Sequence, residues 1–137
     1  MGPINWLAVI LSANLALAVG FVWYGPLFGG ASLFGRLSGD EGTPANRPIG
    51  SLLGAIGLQG LSALMMGHNY ARLGADVLAA KPWLYWMQAG GIAFAFIGPA
   101  LFISYAHQRL SRREALVDAG FWMAVYLATG TVFWALA

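Results

Sequence analysis

The feature that most constrains this chain is a series of four apolar runs, each about as long as a bilayer is thick. The runs cover residues 4–28, 49–73, 83–106 and 115–137. A helix needs about 20 apolar residues to cross the hydrocarbon core, and a helix satisfies its own backbone hydrogen bonds there. The short alternating segments of a transmembrane barrel do not occur in the sequence. We therefore expect an all-α integral membrane protein, a bundle of four transmembrane helices.

Composition supports a lipid-facing fold. Hydrophobic residues make up 59% of the chain and charged residues only 9%, whereas a soluble domain carries about 25% charged residues. A chain of 137 residues is also too short to bury so much apolar side chain in a water-soluble core. We expect residues 1–137 to form a single transmembrane domain. Because the chain has no cysteine, it offers no disulfide and no thiolate metal site.

Basic residues predict the orientation. Five lie in the first and third connections: Arg36, Arg47, Arg109, Arg112 and Arg113. The second connection, on the other side, holds only Arg72 and Lys81. The positive-inside rule therefore places the first and third connections in the cytoplasm. We expect a multi-pass protein of a bacterial inner (cytoplasmic) membrane, with a polar cytoplasmic loop at residues 29–48 and both termini on the outer, periplasmic side.

Aromatic residues fall near the predicted ends of the runs, where tryptophan prefers the membrane–water interface. One interface is assigned Trp6, Trp83, Trp86 and Trp134, and the other Trp23, Tyr24 and Trp122. In the stretch GFVWYGPLFG, the aromatic pair forms an interfacial belt. The Gly-Pro pair that follows is expected to loosen the helix as it leaves the membrane.

Small residues recur at helical spacing in every run, and such residues let helix backbones approach closely in lipid. The predicted packing positions are Ser12, Ala16 and Gly20; Gly50 and Gly54; Gly91 and Ala95; and Gly120, Ala124 and Ala128. The plain interpretation is that these faces build the bundle itself. A sharper interpretation is that a surplus face, on the glycine-rich second helix, docks a partner chain or a second copy.

Polar side chains inside a membrane span are functional candidates, and three of those in the runs are singled out here: Asn14, Gln59 and Asp118. Asn14 and Gln59 lie near mid-membrane, where they either hydrogen-bond across the first two helices or line a polar path. Asp118 needs a cation or water, as a structural ion pair or as a proton-relay or cation site. The candidate ion partners are Arg36, Arg47 and Arg109. Ser111 and Glu114 form a capping-box pattern that starts the last helix near Arg112 and puts Asp118 about two turns in.

Histidines raise the question of a bound tetrapyrrole, which histidine ligates through a neutral ring nitrogen. His68 lies toward the outer end of its run and His107 at the inner end of the next, so one molecule cannot use both. Bound lipid is the ligand that we expect, with a tetrapyrrole at either histidine as the alternative. No catalytic constellation, metal cluster or phosphate loop falls in one layer, so we expect neither an enzyme nor a nucleic-acid partner.

The opening stretch NWLAVILSANLALAVGFVWYGPLFG resembles the domain of unknown function 1761 family, which comprises small bacterial membrane proteins with four predicted helices. The resemblance rests on Asn5 and Trp6 and on the Tyr-Gly-Pro-Leu-Phe-Gly segment from Tyr24 to Gly29. The last run, VDAGFWMAVYLATGTVFWAL, is similar to the family's last span at Asp118, Ala119, Gly120 and Phe121. The resemblance covers most of the chain, apart from the loop at residues 39–48. It implies the four-helix fold and no established activity.

Two classes of function follow. The first is a structural or accessory subunit of a larger membrane complex, or a homo-oligomer, which docks other membrane chains, pigments or lipids through small-residue faces and aromatic belts. The second is a small solute or ion transporter or channel with Asn14, Gln59 and Asp118 along its path. The second class predicts a symmetric oligomer, because one bundle of this size leaves little room for a pore.

Overall fold

The structure of the chain is a computed structural model that describes residues 2–28 and 49–137, with side chains of the second helix described from Leu53 onward. All regular structure in these two ranges is helical, so the all-α class is confirmed. Three helices are long and apolar enough to cross a membrane: Trp6–Leu27, Leu84–His107 and Arg112–Ala135. A fourth crossing and the orientation of the termini stay predictions. The predicted polar loop, residues 29–48, lies outside the described residues.

Six α-helices and two π-helical turns make up the described fold. They are α1 (Trp6–Val22) with a π-helical turn at Trp23–Leu27, α2 (Ile49–Leu73), α3 (Ala75–Ala80), α4 (Leu84–Ile92) with a π-helical turn at Ala93–Ile97, α5 (Gly98–His107) and α6 (Arg112–Ala135). Helix α4, its π-helical turn and α5 form one continuous span. The short α3 lies in the connection between α2 and α4.

Both π-helical turns lie beside a Gly-Pro pair. Pro26 lies inside the first turn, and Pro99 comes directly after the second, in the first turn of α5. Proline has no N–H and its ring clashes with the carbonyl four residues back, so a wider turn relieves the conflict. The first span therefore widens at its end, at the Gly-Pro pair where the sequence predicts a loosened helix.

The two ends of the chain are capped and tied to each other. The Asn5 side chain accepts a hydrogen bond from the Ala8 N–H at 3.0 Å, which starts α1. The same side chain donates to the Leu136 carbonyl at 2.8 Å, at the end of α6. The Ser111–Glu114 capping box forms in both directions and α6 begins at Arg112, so this local prediction is confirmed.

Helix α6 lies between α1 on one side and the α4–α5 span on the other, and α1 packs in turn against α2. At the end that holds both termini, three aromatic rings join α2, α4 and α6. The Tyr70 ring lies 4.8 Å from that of Tyr85 and 5.1 Å from that of Phe133, measured between centroids. The Gly2 N–H also donates to the Ala71 carbonyl at 3.0 Å. These contacts therefore tie α2, α4, α6 and the start of the chain together at this end.

The packing positions predicted on the first and last helices lie wholly or partly between helices. Buried or half-buried there are Ser12, Ala16, Gly20, Gly120, Ala124 and Ala128. A Cβ atom at Gly20 would lie 3.6 Å from the Phe121 ring, and one at Gly120 would lie 3.0 Å from the Trp23 ring. Of these positions, Gly120 thus has the closest measured contact, because a side chain there would displace the indole.

The glycine face predicted on α2 is not the face that packs against α1. A Cβ atom at Gly54 would meet no described atom within 4 Å, whereas one at Gly60 would lie 3.8 Å from the Ala13 methyl group. Gly50 lies outside the residues whose surroundings are described. Among the described residues, α2 therefore meets α1 through Gly60, and Gly54 has no neighbour that supports a role in building the bundle.

The span Leu84–His107, which we call the third span after the third apolar run, also turns a face inward that its sequence did not indicate. A Cβ atom at Gly91 would meet nothing within 4 Å among described atoms, and Ala95 is exposed. The buried small residues are Ala89 and Ala93, at 0% and 3% exposed. The spacing of Gly91 and Ala95 identified a smooth strip of helix, but spacing cannot show which strip faces the neighbouring helix.

Two further glycines, Gly130 of α6 and Gly67 of α2, make close contacts of the bundle. A Cβ atom at Gly130 would lie 2.8 Å from the Tyr85 carbonyl oxygen. One at Gly67 would lie 3.2 Å from the Phe133 ring. A methyl group at either position would force its neighbour to shift. Gly130 therefore lets α6 approach α4 closely, and Gly67 lets α2 approach α6 closely.

Candidate functional site

Asp118 lies buried where three helical segments meet. Its side chain is 3% exposed. The Tyr24 hydroxyl, from the first π-helical turn, donates to Oδ1 at 2.8 Å. The Tyr105 hydroxyl, from α5, donates to Oδ2. Each carboxyl oxygen thus accepts a phenol hydroxyl from a different span, and we call these three residues the Asp118 cluster.

Of the three expected arginine partners of Asp118, only Arg109 lies in the described part of the chain, and it does not pair with Asp118. Arg109 is exposed, just past the end of α5, with a positive φ of 57°. Arg36 and Arg47 lie outside the described residues. Within the described part of the chain, no arginine forms an ion pair with Asp118; the two tyrosines occupy both oxygens. A buried carboxyl group needs hydrogen-bond donors, and phenol hydroxyls on neighbouring helices supply them without bringing a second charge into the bundle.

Trp23 anchors the end of the first span to α6. Its indole N–H donates to the Val117 carbonyl at 3.1 Å. The ring packs closely over Gly120, where a Cβ atom would lie 3.0 Å from it. The ring centroid of Tyr24 lies 4.9 Å from that of Phe121. The pair predicted to form an interfacial belt therefore also makes specific contacts between helices.

The Asp118 cluster brings together the two stretches that carry the family resemblance. The Trp-Tyr-Gly-Pro segment of the first span supplies Trp23 and Tyr24, and the Asp-Ala-Gly-Phe segment of α6 supplies Asp118, Gly120 and Phe121. The two stretches lie about 90 residues apart in sequence, as the separation of 94 between Tyr24 and Asp118 shows. These segments thus join the first span to α6 through hydrogen bonds and ring contacts.

The chemistry of the cluster suits structural anchoring. The two tyrosine hydroxyls use one acceptor position on each oxygen of the Asp118 carboxyl group and hold it between two spans. Within residues 2–28 and 49–137, no three His, Cys, Asp or Glu side chains come close enough to hold a metal ion. His107 is exposed and His68 partly exposed, on different helices.

Asn14 and Gln59 do not form the pair that their depth suggested. Asn14 is exposed, and its amide nitrogen donates to the Ile10 carbonyl one turn back at 2.9 Å. Gln59 is only 5% exposed, and its side-chain oxygen has no hydrogen-bond partner. The expected pair or shared path is corrected by the structure, because Asn14 points away from the bundle and Gln59 points into it.

Two hydroxyl groups share the interior with Gln59. Ser12 and Thr129 are 0% and 2% exposed, and neither hydroxyl has a hydrogen-bond partner among the residues that the structure describes. Buried polar atoms without partners are uncommon in folded proteins. Thr129 was missed from the sequence, because a single threonine in an apolar run does not reveal which way it points.

The remaining tryptophans divide between contact and exposure. Trp86 donates from its indole N–H to the Thr131 hydroxyl at 2.9 Å, and its ring lies 5.3 Å from that of Trp134. Trp122 is half-buried. The exposed ones are Trp6, Trp83 and Trp134. Trp86 and Trp134, assigned to one interface from sequence, thus lie side by side.

A cavity of about 720 Å³ lies at the end of the bundle that holds both termini. Buried rings of Tyr70, Tyr85 and Phe133 line it, and Ala75 and Ala79 of α3 form another part of its wall. The first residues of the chain and the last residues of α6 complete the lining. No sequence motif predicted this cavity, since its walls come from the ends of separate helices.

Comparison with known proteins gives one match. A family model described as "Protein of unknown function (DUF1761)" matches residues 7–134, which include both stretches that meet at Asp118. No curated protein and no solved structure matches the chain.

Proposed function

The chain belongs to the DUF1761 family, and we propose that within it this protein is a structural or accessory membrane subunit without enzymatic activity, which docks another transmembrane helix. That helix comes from a second copy of the chain or from another membrane protein. The observation that carries the proposal is an exposed asparagine beside two open glycines on the outer side of the α1–α2 pair.

We call this surface the α1–α2 groove. Its residues are Ile10, Asn14 and Leu17 of α1, and Gly54 and Gly57 of α2. Asn14 is nine residues from both Asn5 and Trp23, which contact α6. Nine residues at about 100° each amount to roughly two and a half turns, so Asn14 lies on the opposite face of the helix and faces away from α6.

The glycines of α2 lie on the same outer side. Gly60 marks the contact with α1, at 3.8 Å from Ala13. Gly57 lies about 60° around the helix from Gly60, on the side opposite the buried Gln59. Cβ atoms at Gly54 and Gly57 would meet no described atom within 4 Å. The groove floor is therefore smooth and open, as close approach of another helix requires.

Asn14 favours coverage of the groove by another helix, because its polar amide would otherwise face lipid. It lies eight residues into the span Trp6–Leu27, at a depth of about 12 Å from the helix start. Its side-chain oxygen has no partner among the described residues. An amide in hydrocarbon is unfavourable, and a hydrogen bond to another helix there contributes about 1–2 kcal/mol in model peptides. Because asparagine both donates and accepts, a second Asn14 is a complementary partner.

The transport alternative has less support. It needs Asn14, Gln59 and Asp118 on one path, yet Asn14 faces outward and Gln59 faces inward. Both oxygens of Asp118 already accept hydrogen bonds from tyrosines. The geometry favours a docking role over a conducting one.

Single-cysteine cross-linking tests the proposal cleanly, because the chain has no cysteine of its own. Leu17→Cys places a thiol one turn from Asn14 in the groove. Phe94→Cys is the matched control, since Phe94 is exposed on the third span. Under oxidation in native membranes, we expect a disulfide-linked dimer from Leu17→Cys and none from Phe94→Cys.

A photo-crosslinker at Leu17 separates the possible partners. An adduct with the mass of a second copy supports a homo-oligomer, and a reproducible adduct with one other membrane chain supports an accessory subunit. Adducts with lipid alone, together with no disulfide from Leu17→Cys, would refute the docking role.

A further inference from the structure

The cavity at the end of the bundle that holds both termini has the size of a ligand site. Its volume of about 720 Å³ falls within the ~300–1,000 Å³ typical of such sites. Its aromatic lining is firmly placed: Tyr70, Tyr85 and Phe133 are 4%, 5% and 4% exposed. The cavity is thus bordered by packed aromatic rings.

The side chains of Tyr70 and Asn5, which line the cavity, form hydrogen bonds with other groups of the protein. The Tyr70 hydroxyl donates to the Tyr85 carbonyl at 2.7 Å. The Asn5 side chain accepts from Ala8 and donates to the Leu136 carbonyl. The other lining side chains are mainly alanine, proline, leucine and aromatic rings. Such a lining suits a hydrocarbon chain better than a polar solute.

The cavity lies at the level of the membrane–water interface. Trp134 lines it and is 47% exposed, and Trp83 follows the lining residue Pro82 and is 53% exposed. Exposed tryptophans at the end of a span mark the level of lipid headgroups. A lipid can therefore reach the cavity from the bilayer, with its headgroup staying at the surface.

The charges beside the cavity favour an anionic headgroup. Arg72 follows the lining residue Ala71, and Lys81 precedes the lining residue Pro82; both are exposed. They are the only basic residues between positions 49 and 107. Asp76 at the start of α3 is the one acid in the same segment, so the net charge there is positive.

We propose that this cavity binds an anionic phospholipid, with part of one acyl chain against the aromatic wall and the phosphate near Arg72 and Lys81. Basic residues at a membrane surface attract anionic lipid, and the apolar wall selects for a chain rather than a free phosphate. The site is separate from the α1–α2 groove, which lies on the sides of the helices and not at their ends.

Native mass spectrometry of the delipidated full chain tests the proposal. Phosphatidylglycerol and phosphatidylcholine with the same acyl chains are titrated separately. Arg72 and Lys81 attract the negative headgroup of phosphatidylglycerol, whereas phosphatidylcholine has no net charge. We therefore expect phosphatidylglycerol to bind about tenfold more tightly than phosphatidylcholine. Arg72→Gln with Lys81→Gln should bring its affinity down to that of phosphatidylcholine and leave the latter unchanged.

A pair of neighbouring substitutions tests the acyl chain. Ala79→Trp puts an indole at a lining position and should lower the affinity for both lipids about tenfold or more, by removing apolar contact area. Ala80→Trp is the matched control, because Ala80 is exposed and does not line the cavity. Thermal unfolding in the same detergent checks that each variant is folded, and Ala75→Phe replaces Ala79→Trp if the latter is not.

Two results would overturn the proposal. Equal affinity of the wild-type chain for the two lipids would remove the role of Arg72 and Lys81. Unchanged lipid binding by a folded lining variant would place the acyl chain elsewhere. Loss of binding in Ala80→Trp as well would mean a general effect of the bulky ring, and would equally contradict a site in this cavity.

Discussion

Replacing Tyr105 by phenylalanine removes one hydroxyl from the Asp118 cluster and leaves the aromatic ring in place. The lost contact is the hydrogen bond to Asp118 Oδ2, and Asp118 is 3% exposed, so water cannot readily take the place of the hydroxyl. A hydrogen bond to a buried carboxyl group contributes about 1–3 kcal/mol, the upper part of that range applying to a charged acceptor. We expect Tyr105→Phe to lower the free energy of unfolding by this amount.

The assay is equilibrium unfolding of the purified protein in mixed detergent micelles. Tyr126→Phe is the control, because Tyr126 is a tyrosine of α6 that lies buried in the bundle and has no hydrogen bond assigned to its hydroxyl. We expect the control to change stability by less than about 0.5 kcal/mol. In combination with Asp118→Asn, the effect of Tyr105→Phe should shrink, since the two residues interact.

Equal stability of Tyr105→Phe and Tyr126→Phe would refute the reasoning. So would full additivity of Tyr105→Phe and Asp118→Asn, because a double-mutant cycle without coupling means that the two side chains do not act on each other. Either result would leave Asp118 without its proposed role of joining the first, third and last spans.

Two further predictions concern packing and buried hydroxyls. Gly130→Ala should destabilise the protein by about 1–3 kcal/mol, because its methyl group would lie 2.8 Å from the Tyr85 carbonyl oxygen. Gly91→Ala is the control and should be neutral or stabilising, because a Cβ atom there meets no described atom within 4 Å. The same unfolding assay measures both variants, and equal effects would contradict the close approach of α6 to Tyr85. Thr129→Val should leave stability unchanged or raise it by about 1 kcal/mol, since it removes a buried hydroxyl that has no hydrogen-bond partner; a clear loss of stability would show that this hydroxyl is satisfied.

Features encoded in short stretches of sequence were predicted well. The apolar runs at residues 83–106 and 115–137 correspond to helical spans at Leu84–His107 and Arg112–Ala135, because hydropathy along the chain sets span length. The Ser111–Glu114 capping box fixed the start of α6 through contacts three residues apart. The Gly-Pro pair at the end of the first span marked a change in helix geometry for a similarly local reason.

Features that depend on how helices are rotated were not predicted. Asp118 drew its partners from Tyr24 and Tyr105, since the side chain that reaches a neighbouring helix depends on rotation as well as depth. Helix rotation is also why Asn14 and Gln59 do not pair: they lie at similar depth but point in different directions. The π-helical turn at Ala93–Ile97 departs from regular helical spacing, so a face read from spacing cannot be followed through it.

The cavity at the end of the bundle belongs to the same class of features. Its wall uses residues from the start of the chain, α2, α3, α4 and α6, each of which is ordinary in its own stretch. Only the closure of the bundle, through rings such as Tyr70 and Phe133, brings them together. Sequence patterns within a single run carry no information on such an assembly.

The mass of the intact particle, measured in lipid nanodiscs for the wild-type chain and for Asn14→Leu, tests the docking role most directly. The chain alone has a mass of 14.5 kDa. We predict a larger wild-type particle, made of several copies or of this chain with a fixed partner, and a single folded chain for Asn14→Leu. A wild-type particle that contains one copy and no other protein would contradict the account, as would an Asn14→Leu particle of unchanged composition.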